Sequence, residues 1–392
     1  MELIYLDHNA TTPIAPAAKL AAVRFLESEF GNPSSTHAKG RAAKAAVDEA
    51  RAAVAELLGA ATSEIIFTGS ATESNNLALM GAAAMAPTER RHLIVSAVEH
   101  PAVMEPALAL QRQGWQLSLA PVDRHGRLDV ETLRSLLRPD TAIVSVMHAN
   151  NELGTLQPIE TIAPLVHAVG ALLHVDAAQS IGKVPVDVNA LGADLLTVAG
   201  HKMYAPKGIG ALYVRQSTRL AGMLYGAGQE RGLRPGTENV PYIAALGAAA
   251  QYVWNCVQEN ASRVAELRDT LEQRLLAAIP GLVVNGHRHH RLPNTLHVSL
   301  PRGDSRNIVA ALADQVALSP GAACHADDHD PVSGVMRAIG ATAQQARGAL
   351  RISLGYDTTA LQVVQAAALI VSAYERLVDS EHEEGHFVTR WK

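Results

Sequence analysis

Between about residues 40 and 215 the chain alternates between two hydrophobic rhythms. Segments such as AKAAVDEARAAVAELLG, VMEPALALQRQG, DVETLRSLLR and IETIAPLVHAVG repeat apolar residues at helical spacing, and the first stops at Gly59, a residue type that ends helices readily. Between and around them lie short β-rich runs: EIIFTGS, LIVSA, QLSLAPV, AIVSVMH, LLHVDA, DLLTVAG and GALYV. These runs are apolar throughout rather than alternating, which predicts strands buried on both faces. Such strands separated by helices predict an α/β unit, a mainly parallel seven-stranded sheet covered on both sides.

Beyond about residue 240 the texture changes. One long alanine-rich helical pattern runs from roughly 241 to 276. Shorter strand candidates follow (GLVVNG, NTLHVSL and ALRISL), then a last helical pattern, ALQVVQAAALIVSAYERL, and a charged stretch, DSEHEEGH. Fewer strands and more polar turns predict a smaller α+β domain. His382 and His386 in the charged stretch read as solvated surface groups rather than ligands.

Composition narrows the function classes. With 392 residues, of which 48% are apolar, the chain can bury a substantial core in two or three domains of about 150 residues each. Its formal charge is −5, and no basic cluster stands out, so a nucleic-acid partner is not expected. Two cysteines, Cys256 and Cys324, cannot form a disulfide framework, and a reducing setting is the simpler reading. The start, MELIYLDHNATTP, lacks the apolar core of a signal peptide, and AALGAAAQYVWN is too short to span a bilayer. The expectation is a soluble cytoplasmic protein with no membrane partner.

Open parallel sheets bind ligands beyond the carboxyl ends of their strands. Here those ends carry Thr72 after IIF, His100 after LIVSA, Asn151 after AIVSVM, Asp176 and Gln179 after LLHV, and His201 with Lys202 after LLTVAG. Each alone reads more readily as a satisfied structural group; together they describe one crevice. GSATESNN, residues 69 to 76, sets small residues including Ala71 and the Thr72 hydroxyl at a predicted helix start, where free N–H groups attract an anion such as a phosphate. Ordinary capping by Ser70 or Thr72 is the alternative there. The turn has neither Walker nor G-x-G-x-x-G spacing, so it gives little support to ATP or NAD.

An amine at one strand end and a carboxylate at another suit pyridoxal phosphate. Lys202 would form the Schiff base, and Asp176 would keep the pyridine nitrogen protonated so that the ring accepts electrons. His100 could cover the ring, and Gln179 or Asn151 could donate to its phenolic oxygen. The competing reading of Asp176 is a sheet-end cap.

Cys324 lies in GAACHADDHD, ahead of His325, Asp327, Asp328, His329 and Asp330. It reads as a nucleophile, a metal ligand or a small packing residue. Structural zinc sites normally collect separated ligand pairs, and no second pair is in view, so no metal is expected. The loop's histidines would tune or position it, and its aspartates would hydrate it or cap turns. Cys256, in the helical pattern QYVWNCVQEN, reads as a packing residue.

At this point the chain resembles the cysteine desulfurases and selenocysteine lyases, class V aminotransferase-like pyridoxal phosphate enzymes. The likeness runs from YLDHNATTP at 5 to ISLGYDTT at 352 and includes FGNPSSTHAKGR, FTGSATESNNLAL, VSAVEHPAV, MHANNELGTLQPI, HVDAAQSIGK, AGHKMYAPKG, GAGQERGLRPGTENV and GAACH. It implies the fold type I of these transferases. The large cofactor-binding domain would span 16–258, the small domain 1–15 with 259–378, carrying the cysteine loop, and a polar tail 379–392. It implies Lys202 as the Schiff-base lysine, Asp176 on the pyridine nitrogen, His100 stacked on the ring, Gln179 at the phenolic oxygen, and Thr72 and His201 on the phosphate. It further implies a homodimer in which Thr237 reaches the phosphate across the interface. Arg351, assisted by Asn32 and Asn151, would bind the substrate carboxylate, for which a guanidinium fork suits better than a lysine point charge.

The resemblance also implies the reaction. The released Lys202 amine takes the α-proton of a free amino acid, and the Cys324 thiolate accepts sulfur from L-cysteine as a persulfide, leaving L-alanine. One departure is Ala199, where many desulfurases have a serine aiding the phosphate. GAACHADDHD, RPGTENVP and Ala199 lean toward a selenocysteine lyase acting on L-selenocysteine; Pro101 after His100 leans back to desulfurases. Cysteine desulfurase is the leading expectation, with a sulfur- or selenium-acceptor protein as partner. A non-catalytic sulfur-assembly protein should lack Lys202, Asp176 or Cys324, and an aminotransferase has no need of a mobile thiol.

Overall fold

The computed structural model describes residues 2–321 and 332–388, with side chains as far as residue 379. Cys324, His325, Asp327, Asp328, His329 and Asp330 therefore lie outside the described residues. The seven apolar runs form one sheet, ordered Ile65–Thr68, Gly210–Val214, Leu195–Ala199, Leu172–Asp176, Thr141–Met147, His92–Ser96, Gln116–Ala120. Gly210–Val214 runs opposite to the other six strands, which are parallel to one another.

Continuous apolarity has a direct cause. Successive residues of a strand point to opposite faces, and here each face meets its own helical layer. Ile65 and Phe67 join one core and Ile66 the other; Leu93 and Val95 oppose Ile94; Leu212 and Val214 oppose Ala211 and Tyr213. Helices Ala71–Met85 and Pro101–Arg112 cover one face. Helices Pro16–Glu27, Ala38–Leu58 and Ile159–Ala168, with the first half of Val240–Ala278, cover the other. Gly59 closes Ala38–Leu58 in the left-handed conformation, φ 66°, as its position predicted. The helix starts earlier than its apolar pattern because His37 caps Gly40 N–H.

A second core surrounds a four-stranded antiparallel sheet, ordered Ser319–Pro320, Ala349–Ser353, Thr295–Ser299, Val283–Asn285. The 39-residue helix Val240–Ala278 serves both cores, contributing up to Val253 to the first and from Val264 to the second. It runs unbroken through residues 258 and 259. A side chain at its Gly247 would stand 2.5 Å from the Cα of Ala50, so glycine allows this helix to lie directly on Ala38–Leu58.

The N-terminal segment crosses to the small sheet. Ile4–Tyr5 pairs parallel with Val316–Ala317, and Asp7 bridges to Ser353. The last helix runs Ala360–Val388, past Leu377 where its apolar pattern stops. Its Ala360–Asp379 portion has the length and apolar composition of a bilayer-crossing helix, yet Val363, Ala366, Ala367, Ile370 and Ala373 pack in the small core.

Candidate active site

Nine of the residues singled out from the sequence line one cavity of about 320 Å³ at the carboxyl ends of the parallel strands: Ala71, Thr72, His100, Asn151, Asp176, Gln179, His201, Lys202 and Arg351. That volume is in the range of small-molecule sites. The sheet explains the gathering. Parallel strands end on the same edge, so residues far apart in sequence converge there.

Asp176 ends its strand in a buried position with both carboxylate oxygens engaged. Oδ1 accepts from Ala178 N–H at 2.9 Å and Oδ2 from the Asn75 amide at 2.7 Å. Lys202 follows strand Leu195–Ala199 on a single 3-10 turn, and its Nζ donates to the carbonyls of Asn9 and of Ala10, the latter at 2.7 Å. His201 has its pKa lowered to about 4, first by burial and then by Lys202, Lys207 and Lys183, so its imidazole is neutral at pH 7. His100 caps helix Pro101–Arg112, its Nδ1 accepting from Ala102 N–H at 3.0 Å, so that nitrogen carries no proton.

The first turn of helix Ala71–Met85 faces the same cavity. Ser70 is its N-cap, accepting from Glu73 N–H at 3.1 Å. The capping reading for Ser70 therefore holds, and it leaves the helix start, with its partial positive charge, turned toward the cavity at Ala71 and Thr72.

Arg351 reaches the cavity from the small sheet and is almost fully buried. Its Nη2 meets Asp7 at 3.0 Å and Ser319 Oγ at 3.1 Å, and its Nη1 donates to the Asn151 carbonyl at 3.2 Å. Its Nε is buried with no hydrogen-bond partner among the described residues. Glu152, beside Asn151, is pushed up to about 7 by burial, against the opposing pull of Ser333 and Arg351. Glu99, beside His100, is pushed up to about 8 by burial despite bonds from Ser96 Oγ and Met147 N–H, so it is largely protonated at pH 7. The cavity surroundings thus hold Lys202 and Arg351 against Asp176 and Asp7, with the helix start adding positive potential.

Two expected site residues do not line this cavity. Asn32 is exposed, its Oδ1 accepting from Ser34 N–H at 2.9 Å, and Thr237 is exposed on the segment before helix Val240–Ala278. Cys256 is half-buried on that helix, its thiol donating to the Tyr252 carbonyl at 3.0 Å. Sequence reasoning missed Asn75, which pins Asp176; Asp7, which holds Arg351; and Asn9 and Lys183, which contact Gln179. Asp7 and Asn9 sit in the LDHNATT stretch and Lys183 ends HVDAAQSIGK, but only the four-residue step from Gln179 to Lys183 is a local signal.

A family model described as aminotransferase class-V matches residues 4–365. The chain is 38% identical over 390 residues to a protein named cysteine desulfurase IscS from Dictyoglomus turgidum, spanning 99% of this chain and 98% of that one. It is 43% identical over 378 residues to a cysteine desulfurase from Nostoc sp., spanning 96% and 94% of the two chains. A solved structure described as a NifS-like protein matches with a TM-score of 0.90 and 34% identity over 96% of this chain and 100% of the other. Another, described as SspA in complex with cysteine, matches with a TM-score of 0.79 and 34% identity over 90% and 98%. The sheet, the crevice at its carboxyl edge and these similarities agree: the chain belongs to the class-V aminotransferase family of pyridoxal phosphate enzymes, among its cysteine-desulfurase-like members.

Proposed function

We propose that the protein is a pyridoxal phosphate-dependent cysteine desulfurase that converts L-cysteine to L-alanine and takes the sulfur onto Cys324. The observation that carries the reading is the pairing in one cavity of Lys202 with a buried Asp176 whose carboxylate is fixed by two donors. The donor set fits the cofactor. A fixed carboxylate suits a protonated pyridine nitrogen, and a helix start beside a neutral imidazole suits a phosphate.

In this reading the Lys202 amine would hold the cofactor and would move the substrate's α-proton. His100 would cover the ring, and the Gln179 amide would donate to its phenolic oxygen. Backbone N–H groups at Ala71 and Thr72, with His201, would hold the phosphate. When bound, the cofactor supplies an electron sink for the bond broken at the α-carbon. The Arg351 fork, with Asn151, would bind the substrate carboxylate. Asn32 would join them from the rim.

The sulfur step balances without an external oxidant. The C–S bond of cysteine breaks, an S–S bond forms at the Cys324 thiolate, and the electron pair left on carbon is protonated to the methyl group of alanine. The position of Ser319 supports Cys324 in this role. Ser319 is bonded to Arg351, and the five residues from there to Cys324 can reach at most about 18 Å.

A homodimer would complete the site. Thr237 is exposed, and Tyr225, 99% exposed, and Leu224 stand on the segment leading to it. Apolar side chains so presented suit burial against a second copy, which would receive Thr237 at its phosphate.

The decisive assay measures alanine from L-cysteine and, separately, from L-selenocysteine, with the native protein and Cys324→Ala. Loss of cysteine turnover alone in the variant is the expected result, since selenium can leave without the thiolate. Unchanged cysteine turnover would refute the sulfur acceptor. A native protein acting on L-selenocysteine alone would replace the desulfurase with the lyase.

A further inference from the structure

Lys183 is a second lysine buried behind the cavity, and the proposed chemistry gives it no task. Its Nζ donates to Gln179 Oε1 at 2.6 Å and to Asn9 Oδ1 at 2.8 Å. Burial, aided by the neighbouring cations Lys202 and Arg351, holds its pKa well below that of an ordinary lysine.

The contact decides which way Gln179 faces. A glutamine side chain can present either its oxygen or its nitrogen in a given direction, and the choice follows from its partners. Lys183 donates along this contact, and as an ammonium it has only donors, so the atom turned to it is the amide oxygen. Independently, the other end of the amide meets the Asn9 carbonyl at 3.0 Å, an acceptor, so that end must be the nitrogen. Asn9 is itself fixed. Its Oδ1 also accepts from Asn294 at 3.1 Å, and its Nδ2 donates to Thr295 Oγ1 at 2.9 Å and to the Asn151 carbonyl at 3.3 Å. One N–H of Gln179 is spent on Asn9, and the other remains for the cavity that Gln179 lines.

We propose that Lys183 is a positioning residue that locks the Gln179 amide so that it presents a donor, never an acceptor, to the phenolic oxygen of the cofactor. The inference rests on the pyridoxal phosphate reading. Without Lys183 the amide can rotate and set oxygen against oxygen. A donor at the phenolic oxygen draws off negative charge that would otherwise stabilise the protonated nitrogen linking the cofactor to Lys202, so loss of the donor raises the pH at which that nitrogen deprotonates.

The test is a pH titration of the visible absorption band of the cofactor-loaded protein, in the native form, Lys183→Met, Gln179→Ala and the double variant. Lys183→Met should raise the midpoint by about one pH unit. Gln179→Ala should raise it comparably, and the double variant should go no further than Gln179→Ala, because the two residues act as one unit. An unmoved midpoint in folded Lys183→Met overturns the proposal, as do shifts that add in full, which would mean a direct charge effect on Lys202. Should Lys183→Met fail to load the cofactor, Lys183→Gln replaces it under the same criteria. Failure of both while Gln179→Ala loads would make Lys183 a scaffold residue and overturn the proposal. Absence of the band in the native protein would overturn the cofactor reading and this inference with it.

Discussion

Glu99→Gln should remove a pH dependence from the stability of the fold. Glu99 is buried between two strand ends. Its Oε1 accepts from Ser96 Oγ at 2.5 Å and Met147 N–H at 2.6 Å, and its Oε2 is buried without a partner among the described residues. Burial, with a smaller contribution from the Asp176 charge, raises its pKa from 4.5 to about 8. The folded state therefore holds a proton that the unfolded chain releases above about pH 4.5. Stability from this group is complete below about 4.5, falls as pH rises, and is lost by about 8. At about 1.4 kcal/mol per unit, the full span is worth some 3–6 kcal/mol. Glutamine keeps an oxygen for Ser96 and Met147 but never ionises. Urea denaturation of both proteins at pH 5, 6, 7 and 8.5, at matched protein and cofactor concentrations, reads the difference. The native protein should lose about 1.4 kcal/mol per unit relative to the variant through this range, levelling off near 8. Parallel stability curves, or a native protein that gains on the variant as pH rises, would refute the buried-carboxyl argument.

Two further outcomes are expected. Arg351→Lys keeps one charge but cannot satisfy Asp7, Ser319 and Asn151 while gripping a carboxylate, so the KM for L-cysteine should rise about 10- to 100-fold with kcat nearly unchanged; steady-state kinetics check it, and a loss confined to kcat would contradict the carboxylate role. Gly247→Ala gains about 1 kcal/mol of helix propensity but drives a methyl group against backbone at Ala50, costing about 1–3 kcal/mol or more. The clash should win, and denaturation should show net destabilisation rather than a gain.

Much of the fold was legible because both faces of the large sheet are covered, which writes each strand as a solid apolar run. The cavity followed from the same topology. Thr72, His100, Asn151, Asp176 and Lys202 are polar residues set just beyond such runs, and a parallel sheet brings those ends together. What supports them left no such trace. Asn75 meets Asp176 across 101 residues, and Asp7 meets Arg351 across 344. No periodicity encodes contacts of that kind. Ile4–Tyr5 and Val316–Ala317 are two-residue strands, too short for any alternation to register. The last helix outran its apolar pattern because hydrophobic spacing marks where a helix packs, not where its backbone hydrogen bonds stop.

The crossing of the N-terminal segment to the small sheet sets an order of events during synthesis. His8 N–H donates to the Ser353 carbonyl and Asn9 N–H to the Ser353 hydroxyl, so these two bonds form only after strand Ala349–Ser353 has left the ribosome. Asn9 and Ala10 supply the carbonyls that receive Lys202. Most of the large sheet can pair while the chain is still growing, but the bonds that tie the segment receiving Lys202 to the small sheet form late. A nascent chain stalled before residue 349 would hold Lys202 in an unfinished pocket, one that lacks Arg351.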